Sequence, residues 1–209
     1  MFKALDLTMF AHLQTLFFNL SFNLAAGQVL LIEGENGAGK TSLMRCLIGL
    51  DEPDDGSVLW QKENIQNNPD FAEQLLYLGH DLAVNLQLTA FENLQFLTHL
   101  AEKNTNTITE ALAIVGLGDV ADLQAQNLSA GQKRRISLAR LWLSRAKLWV
   151  LDEPFVALDS SMIALLEAKF VEHLSAGGIL ILTTHQPVNL PHEKVIRLNL
   201  TSINDGVIQ

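Results

Sequence analysis

The chain has 209 residues, 48% of them hydrophobic, which is enough for one compact domain with a sizeable core. Its formal net charge of −9 argues against general nucleic-acid binding, which favours basic surfaces, so any phosphate binding must be local. The single cysteine, Cys46, excludes an intrachain disulfide framework and fits a reducing compartment.

The N-terminal segment is apolar in places, but Asp6, His12 and Gln14 interrupt it well short of the roughly 20 residues a bilayer needs. No basic start leads to a small-residue cleavage site, so no secretion signal is expected. Residues 18–24 alternate apolar and polar side chains, the pattern of a strand with one wet face. Residues 29–32 form a short apolar run typical of a buried strand. After Gly39 the pattern turns helical through about Leu50, and 53–56 marks a turn. Residues 75–78, 148–151 and 179–182 read as further buried strands. Between 85 and 126 the pattern is helical, with capping boxes at Thr89-Ala90-Phe91-Glu92 and Thr107-Ile108-Thr109-Glu110. Strands on either side of a helical insert predict a parallel sheet core with a helical lobe. The apolar content fits a well-filled α/β core; the other reading is an apolar surface that a partner covers.

Gly34-Glu35-Asn36-Gly37-Ala38-Gly39-Lys40-Thr41 satisfies the G-x-x-x-x-G-K-[ST] pattern of a phosphate loop, and it lies between a buried strand and a helix as that loop should. Glycines let the backbone curl so that amide N–H groups converge on phosphate oxygens, and the helix start adds its positive dipole end. Lys40 is expected to reach the β- and γ-phosphates, Thr41 to place its hydroxyl on Mg²⁺, and Ser42 to face phosphate too. The motif alone says nucleotide, and nothing more.

Asn127-Leu128-Ser129-Ala130-Gly131-Gln132 precedes Lys133-Arg134-Arg135-Ile136-Ser137-Leu138-Ala139-Arg140. Here the chain resembles the ABC ATPase superfamily, whose LSGGQ signature it matches with one glycine replaced by Ala130. Ser129 is a good N-cap, and Ala130 and Gly131 lack bulk, so an anion can approach the exposed amides of a helix start. The resemblance implies that this anion is the γ-phosphate held by the opposite subunit of a homodimer, with Ser129, Ala130, Gly131 and Gln132 contacting it in trans. It also implies an α/β fold: a P-loop NTPase core with a mostly parallel sheet, an N-terminal antiparallel β part and an inserted α-helical lobe. On that reading 1–209 is a single cassette, with its core at 1–84 and 147–209 and its lobe at about 85–146.

Lys147-Leu148-Trp149-Val150-Leu151-Asp152-Glu153-Pro154 is an apolar strand ending in two carboxylates, a placement that suits chemistry at the carboxyl edge of a parallel sheet. The resemblance gives Asp152 to the Mg²⁺ shell and makes Glu153 the general base on the attacking water. Ala157-Leu158-Asp159 matches the D-loop that crosses the dimer interface, and Thr183-Thr184-His185 matches the switch histidine that contacts the γ-phosphate. A lone histidine is more often structural, and His12, His99, His173 and His192 take that reading. No histidine–cysteine spacing suggests zinc.

Besides Ala130, one position departs from the family pattern and another is open. Most relatives carry a metal-touching glutamine after the strand at 75–78, where this chain has His80, with Gln87 as a fallback. Phe10 stands at the distance before the phosphate loop where an aromatic stacks on adenine, or else it belongs to the core. The Leu78-Gly79-His80 segment is similar to the ATP-binding subunit of the cytochrome c biogenesis haem exporter, the CcmA family. So are the run from Ser129 into Trp142-Leu143-Ser144-Arg145 and the Thr183-Thr184-His185-Gln186-Pro187 segment. This narrower resemblance implies a peripheral subunit on the cytoplasmic face of a bacterial inner membrane. There it would bind membrane-spanning permease subunits of a haem-handling complex and use ATP and Mg²⁺ to drive release of haem-loaded chaperone. An ATPase for another small-molecule cargo, a soluble protein of the superfamily acting on ribosomes or DNA, and a nucleotide-dependent assembly module with negligible turnover are the alternatives. Double cassettes and long coiled insertions, common in the soluble class, are absent here.

Overall fold

The computed structural model describes residues 1–11, 14–99 and 105–200; His12 lies outside them, as does the His99 side chain. Strands β1 (Phe2–Ala11), β2 (Gln14–Leu24), β4 (Asp55–Trp60) and β5 (Glu63–Asn64) form an antiparallel sheet in the order β2-β1-β4-β5. Strands β3 (Val29–Glu33), β6 (Leu75–Leu78), β7 (Leu148–Leu151), β8 (Ile179–Thr183) and β9 (Val195–Asn199) form a second sheet in the order β6-β7-β8-β3-β9. In it β3 runs parallel to both β8 and β9, and β7 runs parallel to β8. Every residue of β7 and β8 is buried, and this is why both read as continuous apolar runs instead of alternating ones.

One compact unit comprises Met1–Tyr77, Ala146–Glu153 and the chain from Phe170 onward. Its core joins Phe2, Phe17, Leu24 and Trp60 of the antiparallel sheet to Leu30, Ile32, Leu148, Val150, Ile179 and Ile181 of the parallel sheet. Those last six fall on alternate residues of three strands and so share one face of the pleat. Helix α1 (Lys40–Leu47) adds Leu43, Met44, Cys46 and Leu47 to the same core. It stops before the expected Leu50 because the Gly49 N–H turns back to the Cys46 carbonyl and the Leu50 N–H to that of Arg45, closing the last turn.

The second unit comprises Leu78–Arg145 and Pro154–Lys169. Helices α2 (Ala90–His99), α3 (Thr105–Ile114) and α4 (Ala130–Leu143) pack on one another there. Ile108, Ala111, Leu112 and Val115 are buried at helical spacing. The expectation of helix over 85–126 fails for 115–126, where turns and the short 3₁₀ segments Gly118–Val120 and Ala125–Asn127 follow α3, and it fails for 85–89. Buried Asn93 donates through Nδ2 to the carbonyls of Asn85 and Thr89, each at 2.9 Å, and accepts the Asn85 N–H at 2.7 Å, which holds that stretch as a turn. The capping box at Thr89 forms in full, Thr89 N–H to Glu92 Oε2 at 2.8 Å and Glu92 N–H to Thr89 Oγ1 at 3.1 Å. The one read at Thr107 does not mark a helix start, because α3 already runs from Thr105. The Asn and Thr residues from 104 to 109 offer several cap candidates, and pattern alone does not choose among them. Helix α5 (Ser160–Ser175) begins within the second unit's Pro154–Lys169 segment and ends in the first unit.

Candidate functional site

The strand order places the carboxyl ends of β7, β8 and β3 side by side. In register, Leu151 pairs with Leu182 and Ile32 with Thr183, so the residues just beyond these three ends share one edge of the sheet. That edge is where open parallel sheets carry their ligands. After β3 the chain enters the glycine-rich loop at Gly34 and leaves it as α1, with Gly39 at the N-cap. Gly37 and Gly39 have φ of 86° and 92°, the left-handed region that an L side chain rarely occupies. Lys40 Nζ donates to the Gly34 carbonyl at 2.7 Å and the Glu35 carbonyl at 3.1 Å, so its ammonium lies over the loop. Glu35 and Asn36 are exposed and Ser42 is half-buried.

Asp152, just past β7, is buried, and Glu153 is half-buried. Thr41 Oγ1 donates to Asp152 Oδ2 at 3.2 Å, and Thr183 Oγ1 donates to Asp152 Oδ1 at 2.6 Å. The Glu153 N–H donates to Thr183 Oγ1 at 2.9 Å. His185, its side chain 56% exposed, brings Nε2 to 3.4 Å from Glu153 Oε1. Glu153 stands at φ 47°, a conformation that costs a non-glycine residue on the order of 1–3 kcal/mol and that collects at functional sites. Thr41, Asp152, Glu153 and His185 therefore come together within one unit. Among the described residues no three His, Cys, Asp or Glu side chains gather as a metal cage. A hydroxyl beside one carboxylate is instead a hard-oxygen donor pair, suited to a cation that takes its other ligands from phosphate and water.

In the second unit, Ser129 caps α4 with a complete capping box. Its Oγ accepts the Gln132 N–H at 3.1 Å, and its N–H donates to Gln132 Oε1 at 2.9 Å. An open depression is lined by Ser129, Gly131, Gln132, Arg135, Ala157 and Asp159. A Cβ on Gly131 would come within 2.7 Å of the Ala157 carbonyl oxygen. The glycine is thus required by the close approach of the 157–159 loop, a reason separate from leaving room for an anion. Asp159 Oδ1 accepts the Ser161 hydroxyl and the Met162 N–H at 2.7 and 2.8 Å, and Oδ2 pairs with Arg135. These partners hold its carboxyl below the usual carboxylate range, the Ser161 hydroxyl foremost. Arg135 also donates to the Val115 carbonyl at 3.3 Å, tying α4 to the end of α3.

The family model for ABC transporters matches residues 17–156. This chain belongs to the ABC transporter family. It is an ATP-binding cassette with ATPase activity as its chemistry. The cytochrome c biogenesis ATP-binding export protein CcmA of Escherichia coli (strain K12) is 48% identical over 189 residues, covering 90% of each chain. The protein of that name from Shigella sonnei (strain Ss046) is 48% identical over the same share. A chain from Pyrococcus furiosus described as an ABC transporter ATP-binding protein superposes with a TM-score of 0.81 at 25% identity, over 96% of this chain and 98% of that one. A dimeric post-hydrolysis ATP-binding cassette bound to ADP and phosphate superposes with a TM-score of 0.79 at 21% identity, over 96% and 95%, a likeness of fold alone.

The remaining residues singled out for this cassette are placed less centrally. Phe10 is 51% exposed, so the core alternative is set aside, and its N–H donates to Asp54 Oδ2 at 2.8 Å. His80 and Gln87 are exposed residues of the second unit. His173 stacks on Trp149 with ring centres 3.8 Å apart and meets the Ile179 carbonyl at 3.2 Å, a packing role as expected. Thr183, which the sequence marks only as the start of the switch-histidine motif, is the buried hydroxyl between the two acids. The available signal was a polar residue closing the otherwise aliphatic run Ile179-Leu180-Ile181-Leu182.

Proposed function

We propose that this cassette is the ATP-hydrolysing subunit of a haem-handling cytochrome c biogenesis export complex, two copies of it acting beneath membrane-spanning permease subunits. The observation that carries the reading is the gathering of Thr41, Asp152, Glu153 and His185 at the sheet edge occupied by the glycine-rich loop. Support for the cargo comes from the 48% identity to the E. coli export protein. The same identity supports a peripheral place on the cytoplasmic face of the inner membrane; among the described residues no helix is long and apolar enough to cross a membrane.

Phosphoryl transfer depends mainly on positioning and charge stabilisation. The loop from Gly34 to Gly39 and the start of α1 hold the phosphates, Lys40 neutralises the terminal oxygens, and Ser42 supports them. Phe10 offers an exposed ring on which adenine stacks. Mg²⁺, when bound, would offset the charge that develops on phosphate, and Thr41 and Asp152 would hold it. Glu153 takes the proton of the attacking water, and His185 orients that water and the γ-phosphate. Ser129, Ala130, Gly131 and Gln132 of the opposite copy close the site, with Asp159 at the interface between copies.

Purification of the native complex from membranes tests this reading. Membrane subunits of cytochrome c assembly should accompany the chain, and phosphate release should fall roughly a hundredfold in Glu153→Gln, the scale of losing one transition-state contributor. Recovery of permeases for an unrelated cargo would overturn the first part, and normal turnover by Glu153→Gln the second.

A further inference from the structure

The two acids that follow β7 share one buried hydroxyl. Thr183 closes β8 and is fully buried. Its Oγ1 donates to Asp152 Oδ1 at 2.6 Å and accepts the Glu153 N–H at 2.9 Å. The four residues before it in the strand are aliphatic, and a valine would fill nearly the same space, so packing does not call for a hydroxyl at this point. The other oxygen of Asp152 accepts from Thr41 at 3.2 Å. Each carboxylate oxygen of Asp152 therefore has a hydroxyl donor, one from α1 and one from β8, and the two together set the plane of the group. Glu153 meanwhile stands at φ 47° just ahead of Pro154. Both the left-handed conformation and the following proline restrict its backbone, and its N–H is aimed at Thr183.

We infer that Thr183 is a positioning residue for hydrolysis, one hydroxyl fixing both the Asp152 carboxylate and the left-handed turn that aims the Glu153 side chain. The inference rests on the roles proposed above for Asp152 and Glu153. Thr183 is fully buried and acts through its two neighbours. Losing the hydroxyl takes one donor from the Asp152 carboxylate and the acceptor from the Glu153 N–H, so each acid loses one of the contacts that set its direction.

The test compares full-length Thr183→Val, Thr183→Ser and Glu153→Gln in the membrane complex, with calorimetric nucleotide binding as a readout apart from turnover. Thr183→Val should lower kcat roughly ten- to a hundredfold, the cost of a misplaced reacting group, and leave KM for ATP within about twofold. ATP binding without Mg²⁺ should be unchanged. The Mg²⁺ concentration needed to tighten that binding should rise about tenfold, as when a residue supporting a metal ligand is lost. Thr183→Ser should recover most of the rate and the ordinary Mg²⁺ response. Unaltered kcat and Mg²⁺ response in Thr183→Val beside an inactive Glu153→Gln would overturn the proposal. Normal turnover by Glu153→Gln would instead remove the base assignment, with the Mg²⁺ response still reporting on Asp152. If Thr183→Val does not fold, Thr183→Ala at low temperature replaces it; failure of both to fold would mark the hydroxyl as structural and end the positioning role.

Discussion

The Lys40 ammonium lies 2.7 Å from one loop carbonyl and 3.1 Å from the next, so its position is fixed by the backbone that also forms the phosphate cradle. A cation held this way stabilises developing charge without reorganising during the reaction, and removing it costs on the order of 3 kcal/mol, about a hundredfold in rate. Lys40→Ala should therefore lose about that much phosphate release while its circular-dichroism melting curve stays close to that of the parent. A collapsed melting curve would show that the lysine holds the loop together instead. At this scale the sequence was informative where covalent spacing dictates geometry. Lys40 and Thr41 follow directly on a strand–loop–helix turn, and Asp152 and Glu153 lie at the end of a four-residue apolar strand. Phe10 was ambiguous because a single aromatic beside an irregular strand pairing gives no period from which to infer its facing. The motif at Thr183-Thr184-His185 gives Thr183 no role of its own, because its importance lies in two hydrogen bonds to residues 30 and 31 positions away, which no local pattern reports.

Among the elements, the start of α4 and the loop at 157–159 are fitted to each other. Adding a Cβ at Gly131 forces it against the Ala157 carbonyl at 2.7 Å, a contact with backbone that cannot swing aside. Overpacking of this kind costs roughly 1–3 kcal/mol, so Gly131→Ala should melt several degrees lower, with the gain in amide hydrogen exchange concentrated at 157–159. Asp159 makes the same loop sensitive to acid. Its folded carboxyl titrates below the usual range because Ser161, the Met162 N–H and Arg135 favour the charged form. A depressed pKa stabilises the fold above the unfolded value, and that contribution disappears as pH falls below about 4 through the folded one. The melting temperature of Asp159→Asn should thus lie below that of the parent at neutral pH, and the gap should close as the pH is lowered through that window. The elements themselves were unevenly legible. Buried strands β3, β7 and β8 stood out as apolar runs, and the Ser129 cap stood out by its side chain. Strands β1, β4 and β9 did not: β1 is broken by residues such as Asp6 at φ 50° and by register shifts in its pairing, and β9 mixes half-buried and exposed residues, which blurs the period-two signal.

At the scale of the whole molecule, net charge opposes the nucleotide-driven association proposed for two copies. Each copy carries a formal charge of −9, and two bound triphosphates add to it, so at long range the copies repel. At short range, Lys40, the N–H groups at the start of α1 and the capped start of α4 are local positive features, and in the proposed dimer a phosphate shared between two copies would draw them together. Glu153→Gln, binding ATP without consuming it, should double in mass by light scattering when ATP and Mg²⁺ are added. Ser129→Arg in the same background should stay monomeric, because a long side chain at the α4 start fills the space that the phosphate needs. Salt distinguishes the two contributions. Screening contracts from about 30 Å at 0.01 M to about 8 Å at 0.15 M, which removes the long-range repulsion while leaving desolvated phosphate contacts largely intact. The ATP-dependent dimer should therefore strengthen as salt rises over that range. Weakening instead would mean that exposed ion pairs between the copies, and not enclosed phosphate, hold them together.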